Sequence, residues 1–365
     1  MHGRILMLAP DPDISGPVPG PIGKLAFRLA DALRSVGYEV DTELWGRHTR
    51  EEGLLQKVTG RASDLVRIRR RIARASYDMV LVNTTHDSRA LLRDLLLVLP
   101  SPARVRWVLL IHGSHFEPGR PWFDLAARGL VRRSAAVLLL SSDEVSEWKR
   151  FYPPAHYYLV ANALAPAREA SSGRPDVSRS PGRREILFAG RLIREKGLYE
   201  LLDAFAAVRA RGAFHLTIAG EGPESERLQA RAAELGVAGD VGFTGHLTED
   251  ELAQLYRSAD VFVLPSYSEG LPTVLLEAMS YGLPIVTTRI RGAADHLLEG
   301  ENALFVPVGS ADALAGALER VLDDAGLRAK MREKNLERAE DFMPGKVVRA
   351  YVAAFADVTG RGEGQ

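Results

Sequence analysis

The chain contains no cysteine, which excludes disulfides, thiolate metal sites and cysteine nucleophiles. Its formal net charge is zero, so it lacks the bulk basicity typical of nucleic-acid-binding proteins. No apolar stretch approaches the length of a transmembrane helix, and the run from Ile5 to Ala9 is too short for a signal peptide core. We therefore expect a cytoplasmic protein without a nucleic-acid partner.

What is present indicates an ordinary globular chain of two domains. Its 365 residues are 46% hydrophobic and 26% charged, enough for two separate cores. Residues 1–160 carry 23 Lys and Arg against 17 Asp and Glu. This excess is compatible with an acidic acceptor or with an anionic membrane at the inner face of the cell, and random scatter explains it equally well.

Buried strands alternate with helical patterns along the whole chain, which predicts α/β domains with parallel, doubly wound sheets. The break between the halves is a stretch rich in Ser, Gly, Pro and Arg. The expected first-half strands begin at Arg4, Tyr38, Asp78, Trp107 and Ala136, with a helix over 23–36, and the expected second-half strands are 185–189, 215–219, 261–264, 284–287 and 303–306.

The most informative stretch runs from Glu269 to Glu277. It follows the apolar run 260–264, which predicts a buried strand, and it turns helical at Thr273. A helix N-terminus offers unpaired backbone N–H groups and a positive dipole end to a phosphate. One carboxylate lies on each side of it and can accept hydrogen bonds from sugar hydroxyls. This arrangement suits a nucleotide-diphosphate sugar, although a simple capped helix, or a glycosidase pair of carboxylates, also fits these residues alone.

A second loop, containing Arg191 and Lys196, also joins a predicted strand to a predicted helix. Strand-to-helix loops of one sheet converge at its carboxyl edge, so both loops can meet one ligand there. Fixed cations stabilise the charge that bond cleavage leaves on a diphosphate. The two basic side chains are therefore candidate partners of the phosphates.

Together these motifs resemble family-4 glycosyltransferases of the two-domain GT-B architecture, closely over residues 184–322 and more weakly over 1–166. The resemblance implies two Rossmann-like domains that face a central cleft. It places the acceptor-side domain at 1–166, a linker at 167–183, the nucleotide-sugar-binding domain at 184–343, and a helix returning to the first domain at 344–365. The residues that carry it are Gly190-Arg191, Lys196-Gly197, Ala219-Gly220-Glu221-Gly222-Pro223, Gly245-His246-Leu247, Ser258-Ala259-Asp260, and Glu269 with Glu277.

The resemblance also implies roles for individual residues. It assigns Arg191 and Lys196 to the donor diphosphate, Glu269 to the donor sugar and Glu277 to the ribose. His112 matches an active-site histidine, and His86 is a candidate for the acceptor side, although a structural role is about as plausible for His86. The backbone N–H groups expected to serve the donor sugar and phosphate are those of Gly270, Leu271, Thr273 and Val274.

Two segments depart from the family pattern. The usual Gly-Gly of the first domain falls on Gly20-Pro21, and proline has no N–H to donate to a phosphate. Gly23 could compensate, and an ordinary Pro/Gly surface loop explains the segment equally well. The second departure is Asn162-Ala163-Leu164-Ala165, where the family usually has Asn-Gly-x-Asp.

We expect no metal and no cofactor besides the nucleotide-sugar donor. Asp11-Pro12-Asp13 has the spelling of a metal-binding Asp-x-Asp motif, but no further ligands accompany it. The segment from Arg61 to Arg74 places Leu65, Ile68 and Ile72 on one helical face and arginines on the others. It could lie on an anionic membrane, and a helix that covers a sheet would show the same pattern.

The sequence therefore predicts a retaining, metal-independent hexosyltransferase, with a glycan, glycolipid or small-molecule hydroxyl as acceptor in glycan or polysaccharide biosynthesis. Retention is implied by the family alone. Two alternatives stay open, a nucleotide-sugar epimerase of the same architecture and a non-catalytic sugar-nucleotide-binding subunit.

Overall fold

The computed structural model describes residues 3–10, 21–46, 54–102, 104–113, 116–164 and 183–360. The chain divides into two compact units, Met1–Ala163 with Met343–Gln365, and Leu164–Phe342. The division after Ala163 precedes the predicted end of the first domain at residue 166. Apart from its last residue, Arg183, the predicted linker lies outside the described residues.

The first unit is a parallel sheet of six strands in the order β2-β1-β3-β4-β5-β6. The strand order reverses between β1 and β3, as in a doubly wound fold. The elements are β1 (Gly3–Ala9), α1 (Pro21–Ser35), β2 (Tyr38–Leu44), α2 (Leu54–Arg74), β3 (Met79–Thr85), α3 (Ser88–Val98), β4 (Trp107–His112), α4 (Pro121–Arg133), β5 (Ser134–Leu139), α5 (Ser142–Phe151) and β6 (Tyr157–Leu159).

The second unit contains another parallel six-stranded sheet, in the order β12-β11-β10-β7-β8-β9. The two Rossmann-like units confirm the predicted α/β class. The elements are β7 (Arg184–Ala189), α6 (Leu198–Arg209), β8 (Phe214–Ala219), α7 (Ser225–Glu234), β9 (Val241–Gly245), α8 (Glu249–Ser258), β10 (Val261–Leu264), α9 (Thr273–Ser280), β11 (Ile285–Thr288), α10 (Arg291–Ala294), β12 (Ala303–Val306), α11 (Ala311–Asp323) and α12 (Ala325–Ala339).

The last helix, α13 (Pro344–Thr359), packs on the first unit. The Tyr351 hydroxyl donates to the carbonyl of Ala161 over 3.2 Å, and the ring of Phe355 meets Tyr38 edge-on with centroids 6.0 Å apart. Both side chains are almost fully buried. The first and last described elements, β1 and α13, therefore belong to the same compact unit.

Helix α2 buries the face that would have to insert if it lay on a membrane. Ile68 is fully buried, and Leu65 and Ile72 pack against the core of the first unit. The apolar stripe of this helix thus covers the sheet, because a sheet-covering helix directs its apolar side inward. Membrane contact through the apolar face of Arg61–Arg74 is therefore wrong. No helix in the described ranges is both long and apolar enough to cross a membrane.

Candidate functional site

The predicted basic and acidic loops meet at the switch point of the second sheet. Strands β7 and β10 pair although 70-odd residues separate them, because the chain order reverses there. The loops that follow these two strands therefore leave the same carboxyl edge side by side, which is where open α/β sheets bind ligands. The first loop carries Arg191 and Lys196, and the second carries Glu269.

Glycines allow these loops to approach closely. Gly197 has φ +69°, and a Cβ there would lie 2.1 Å from the carbonyl oxygen of Pro265. Gly220 has φ +136°, and its Cβ would lie 1.9 Å from the carbonyl oxygen of Gly190. No side chain fits such distances, so the glycines bring the loops after β7, β8 and β10 into backbone contact.

Lys196 and Glu269 form an ion pair across the two loops. The Ser266 hydroxyl donates to the same Glu269 oxygen over 2.9 Å, and the backbone N–H of Tyr267 donates to the carbonyl of Glu195 over 2.8 Å. The two charged side chains are only 17% and 15% exposed, which limits solvent screening of the pair. The structure thus places Lys196, the residue predicted to bind phosphate, against Glu269, the residue predicted to bind the sugar.

Arg191 lies at the same edge with an exposed side chain. Within the described residues it makes no side-chain hydrogen bond or ion pair. Its guanidinium is therefore available to an anionic ligand, as a bidentate phosphate contact requires.

Helix α9 begins at Thr273, directly after Pro272, and no side chain caps it. The backbone N–H groups of Thr273 and Val274 lie in its first turn, where an α-helix has no internal acceptor for them. The carbonyl of Gly270 accepts from the N–H of Gly292 over 2.9 Å, and Leu271 is 6% exposed. The second loop is thus anchored next to an uncapped helix N-terminus.

Glu277 is four residues beyond Thr273, one turn into α9. The Tyr256 hydroxyl, on α8, donates to Glu277 Oε2 over 3.1 Å. Tyr256 is 2% exposed, and its burial together with the Glu277 carboxylate raises its pKa well above its usual value. The phenol therefore stays protonated and holds one oxygen of Glu277. The motifs gave no sign of this residue, although Tyr256 stands two positions before Ser258-Ala259-Asp260.

Replacing Tyr256 with Phe is expected to raise the KM for a nucleotide-sugar donor about 3- to 10-fold, because one hydrogen bond to a carboxylate is lost. The turnover number should change less than about twofold, since the predicted partner of Glu277 is the ribose, which does not react. Steady-state kinetics at varied donor concentration measures both constants.

Tyr351→Phe is the matched control, since it also removes a buried hydroxyl but lies in the first unit. In a Glu277→Gln background the Tyr256→Phe effect should largely disappear, because the two residues act through one interaction. Equal KM changes in both tyrosine variants, or a fall in kcat alone, would contradict the positioning role.

His112 ends β4 and is 5% exposed. Its Nε2 lies 3.2 Å from Oδ1 of Asn83, whose amide nitrogen donates to the Leu8 carbonyl over 3.1 Å. Because Asn83 presents an oxygen, Nε2 carries the proton. Burial lowers the pKa of His112 to about 4, so the ring is neutral near pH 7 and Nδ1 is an acceptor suited to a hydroxyl.

His86 lies in the core of the first unit, 2% exposed. Its ring meets Phe116 and Trp148 edge-on, and its Nε2 is 3.5 Å from Glu144 Oε1, itself fully buried. The structure places this side chain among aromatic rings. Its acceptor-side role stays a prediction.

The glycine segment of the first unit is described only in part. Gly20, like Asp11 and Asp13, lies outside the described residues. Helix α1 begins at Pro21, the first helical position, where proline is favoured, and Gly23 lies in the same first turn. Of the second segment that departs from the family pattern, Asn162 to Ala165, the structure describes the first three residues. The N–H of Leu164 donates to the Phe342 carbonyl over 2.9 Å.

In the described ranges, no three His, Cys, Asp or Glu side chains lie together as metal ligands would.

Comparison with known proteins places these loops in a recognised domain. Residues 173–338 match the family model described as glycosyl transferases group 1. A lipopolysaccharide core biosynthesis glycosyltransferase of Rhizobium meliloti, LpsE, is 32% identical over 190 residues, covering 52% of this chain and 53% of the relative. A D-inositol 3-phosphate glycosyltransferase of Pseudarthrobacter chlorophenolicus is 33% identical over 251 residues, covering 66% and 59%. The chain thus spans a little over half the length of these curated relatives.

Solved glycosyltransferase structures share the fold over nearly the whole chain. Anabaena Alr3699/HepE in complex with UDP-glucose has a TM-score of 0.76 at 18% identity, covering 96% of this chain and 98% of that one. A glycosyltransferase from Rickettsia africae has a TM-score of 0.77 at 15% identity, covering 98% of both chains. These likenesses confirm the predicted GT-B fold class.

Proposed function

We propose that the chain, whose residues 173–338 match the family model described as glycosyl transferases group 1, transfers a sugar from a nucleotide-diphosphate sugar to a hydroxyl acceptor, with retention at the anomeric carbon. One observation carries the proposal: Lys196 and Glu269 pair at the switch point of the second sheet. Exposed Arg191 and the uncapped N-terminus of α9 belong to the same edge.

Each group has a role in this reaction. Arg191 and Lys196 neutralise the diphosphate, and the first-turn N–H groups of α9 add donors that need no reorganisation during the reaction. Glu269 faces the sugar ring and, through its ion pair, holds Lys196 beside the diphosphate. Glu277, held by Tyr256, accepts from the ribose hydroxyls. His112 offers a neutral acceptor to the donor sugar or the acceptor hydroxyl.

The proposed step exchanges one bond for another at the anomeric carbon. The bond from that carbon to the diphosphate oxygen breaks, and a bond to the acceptor oxygen forms on the same face. The acceptor proton passes to the departing phosphate oxygen. No separate general base is needed, and the negative charge that accumulates on phosphate is met by Arg191 and Lys196.

UDP-glucose is the first donor to test, because the HepE structure of the same fold holds it. LpsE, by its name, acts in lipopolysaccharide core biosynthesis, which supports a glycan or glycolipid acceptor in a biosynthetic pathway, with small-molecule acceptors included in the screen. We further propose that the enzyme works in the cytoplasm, peripheral to the inner face of the membrane.

The deciding experiment is product analysis of nucleotide sugars incubated with and without a panel of hydroxyl acceptors. Acceptor-dependent release of the nucleoside diphosphate, with an α-configured product from an α-configured donor, supports the proposal. A changed nucleotide sugar formed without acceptor would identify an epimerase. Donor binding in a thermal-shift screen without any turnover would identify a binding subunit.

We expect transfer activity to survive excess EDTA, because cationic side chains and helix N–H groups occupy the place of a metal ion in this mechanism. The measurement is the initial rate before and after chelation, with and without added Mg²⁺ or Mn²⁺. Activity that is lost on chelation and restored by either ion would reject the metal-free mechanism. Asp11 and Asp13 would then be the candidate metal ligands.

A further inference from the structure

The first unit exposes large apolar side chains on the outer side of α3 and α4. Trp122 is 67% exposed, Leu96 63%, Leu125 54% and Leu99 50%. Both helices link successive strands running in one direction across the sheet, so they cover the same side of it. They pack closely, since a Cβ at Gly129 would lie 2.6 Å from Leu95 Cδ1. We call these exposed residues and the arginines between them the α3–α4 face.

The exposed charged residues within α3 and α4 are all arginines, and the exposed acid Asp87 caps α3 just before its first residue. Arg89, Arg128 and Arg132 are exposed. The two carboxylates of these helices accept hydrogen bonds from neighbouring residues. Asp94 is fully buried and accepts from Trp45 Nε1 over 2.6 Å, and Asp124 accepts from the Tyr152 hydroxyl and from the N–H of Gly119. The face therefore presents cations without an exposed carboxylate on either helix.

Helix α2 also exposes arginines and an apolar side chain beside this face. The Arg69 guanidinium donates to the Leu96 carbonyl over 2.7 Å, which places α2 directly beside α3. Next to it stand exposed Arg70 and the 48% exposed Val66. These side chains lie on the outer side of α2, opposite the stripe that Ile68 buries in the core. A mixed surface of arginines and apolar side chains thus covers three neighbouring helices.

We propose that the α3–α4 face docks on an anionic lipid bilayer. Tryptophan and leucine side chains favour the boundary between headgroups and acyl chains, and arginines bind lipid phosphates. A second copy of the chain fits poorly, because a twofold interface would set this arginine-rich surface against itself. A nucleic acid would match the arginines but would leave Leu96, Leu99 and Leu125 without apolar partners.

The test is cosedimentation of the full chain with vesicles of phosphatidylcholine alone or of equal parts phosphatidylglycerol and phosphatidylcholine. The inference rests on the membrane location proposed above, but sugar transfer takes no part in this measurement, so vesicle binding and transfer activity can fail separately. Binding should require the anionic lipid and should weaken as salt is raised. The double variant Trp122→Ser/Leu125→Ser and the double variant Arg128→Gln/Arg132→Gln should each bind about tenfold more weakly or worse.

Matched controls lie on the second unit. Leu298→Ser removes a 59% exposed leucine, and Arg227→Gln removes an arginine whose side chain is 76% exposed. Both should bind vesicles like the unaltered chain. The Arg128 guanidinium lies 5.6 Å from the centre of the Tyr152 ring, but all substituted positions are on the surface, so thermal melts should change little and show whether any variant is misfolded.

Trp122 also serves as an internal reporter. The chain has four tryptophans, and Trp45, Trp107 and Trp148 are fully buried. Acrylamide should therefore quench mainly Trp122, and anionic vesicles should protect it and shift its emission to shorter wavelength.

Absent binding, equal binding to both vesicle types, or binding that survives both double variants would overturn the proposal. A concentration-dependent dimer in light scattering that Trp122→Ser abolishes, without vesicle binding, would assign the face to a second copy instead.

Discussion

Replacing Lys196 with Ala is expected to lower kcat for sugar transfer by about 10²–10³, the usual cost of removing one preorganised charged donor from the site of charge development. Lys196 is held by Glu269 at the carboxyl edge of β7 and β10, so its ammonium is already placed when the donor arrives. Steady-state kinetics with saturating donor and acceptor measures the effect. Arg191→Ala should cause a loss of similar size.

Comparing the two alanine variants separates the loss of a phosphate contact from the loss of an ion pair within the protein. Lys196→Ala also removes the partner of Glu269, whereas the Arg191 side chain has no partner among the described residues to lose. Lys334→Ala breaks an exposed pair with Glu337, 2.7 Å long, far along the chain on α12, and should leave kcat unchanged. Lys196→Arg keeps the charge and should recover part of the rate. Near-normal turnover in both alanine variants would show that neither residue meets the diphosphate.

Glu269→Gln and Glu277→Gln are expected to separate kinetically. Glu269 faces the sugar, where positive charge develops at the anomeric carbon, so its loss should lower kcat by about 10² or more. Glu277 binds the ribose, which changes little during the reaction, so its loss should raise the donor KM with little change in kcat. Glutamine keeps an oxygen that can accept from Lys196 and Ser266, so the loop geometry should persist.

Glu337→Gln, which removes the exposed partner of Lys334, is the matched control and should change neither constant. Melting temperatures of all variants show whether any loss reflects unfolding. A fall in kcat alone for Glu277→Gln together with a rise in KM alone for Glu269→Gln would reverse the assigned roles.

The sequence by itself determined the local structure and much of the site's composition. Runs of buried apolar residues identified strands such as β4 and β10, because a parallel strand covered on both faces tolerates few polar side chains. Element ends shifted by only a few residues: the helix predicted over 23–36 runs from Pro21 to Ser35. The motifs also placed Arg191, Lys196 and Glu269 between a strand and the next helix, and Glu277 within the helix that begins at Thr273, where the structure has them.

Only the tertiary structure decided which of these residues meet. Lys196 and Glu269 are 73 positions apart, and they pair because β10 crosses back to lie beside β7. Tyr256 reaches Glu277 from another helix, and the aromatic rings that meet His86 come from two separate segments, at Phe116 and Trp148. The sequence also did not show which face of α2 packs on the sheet, or which face of α3 and α4 stays exposed. Local sequence fixes periodicity, but the side on which a helix meets the sheet depends on the chain order of the strands it connects.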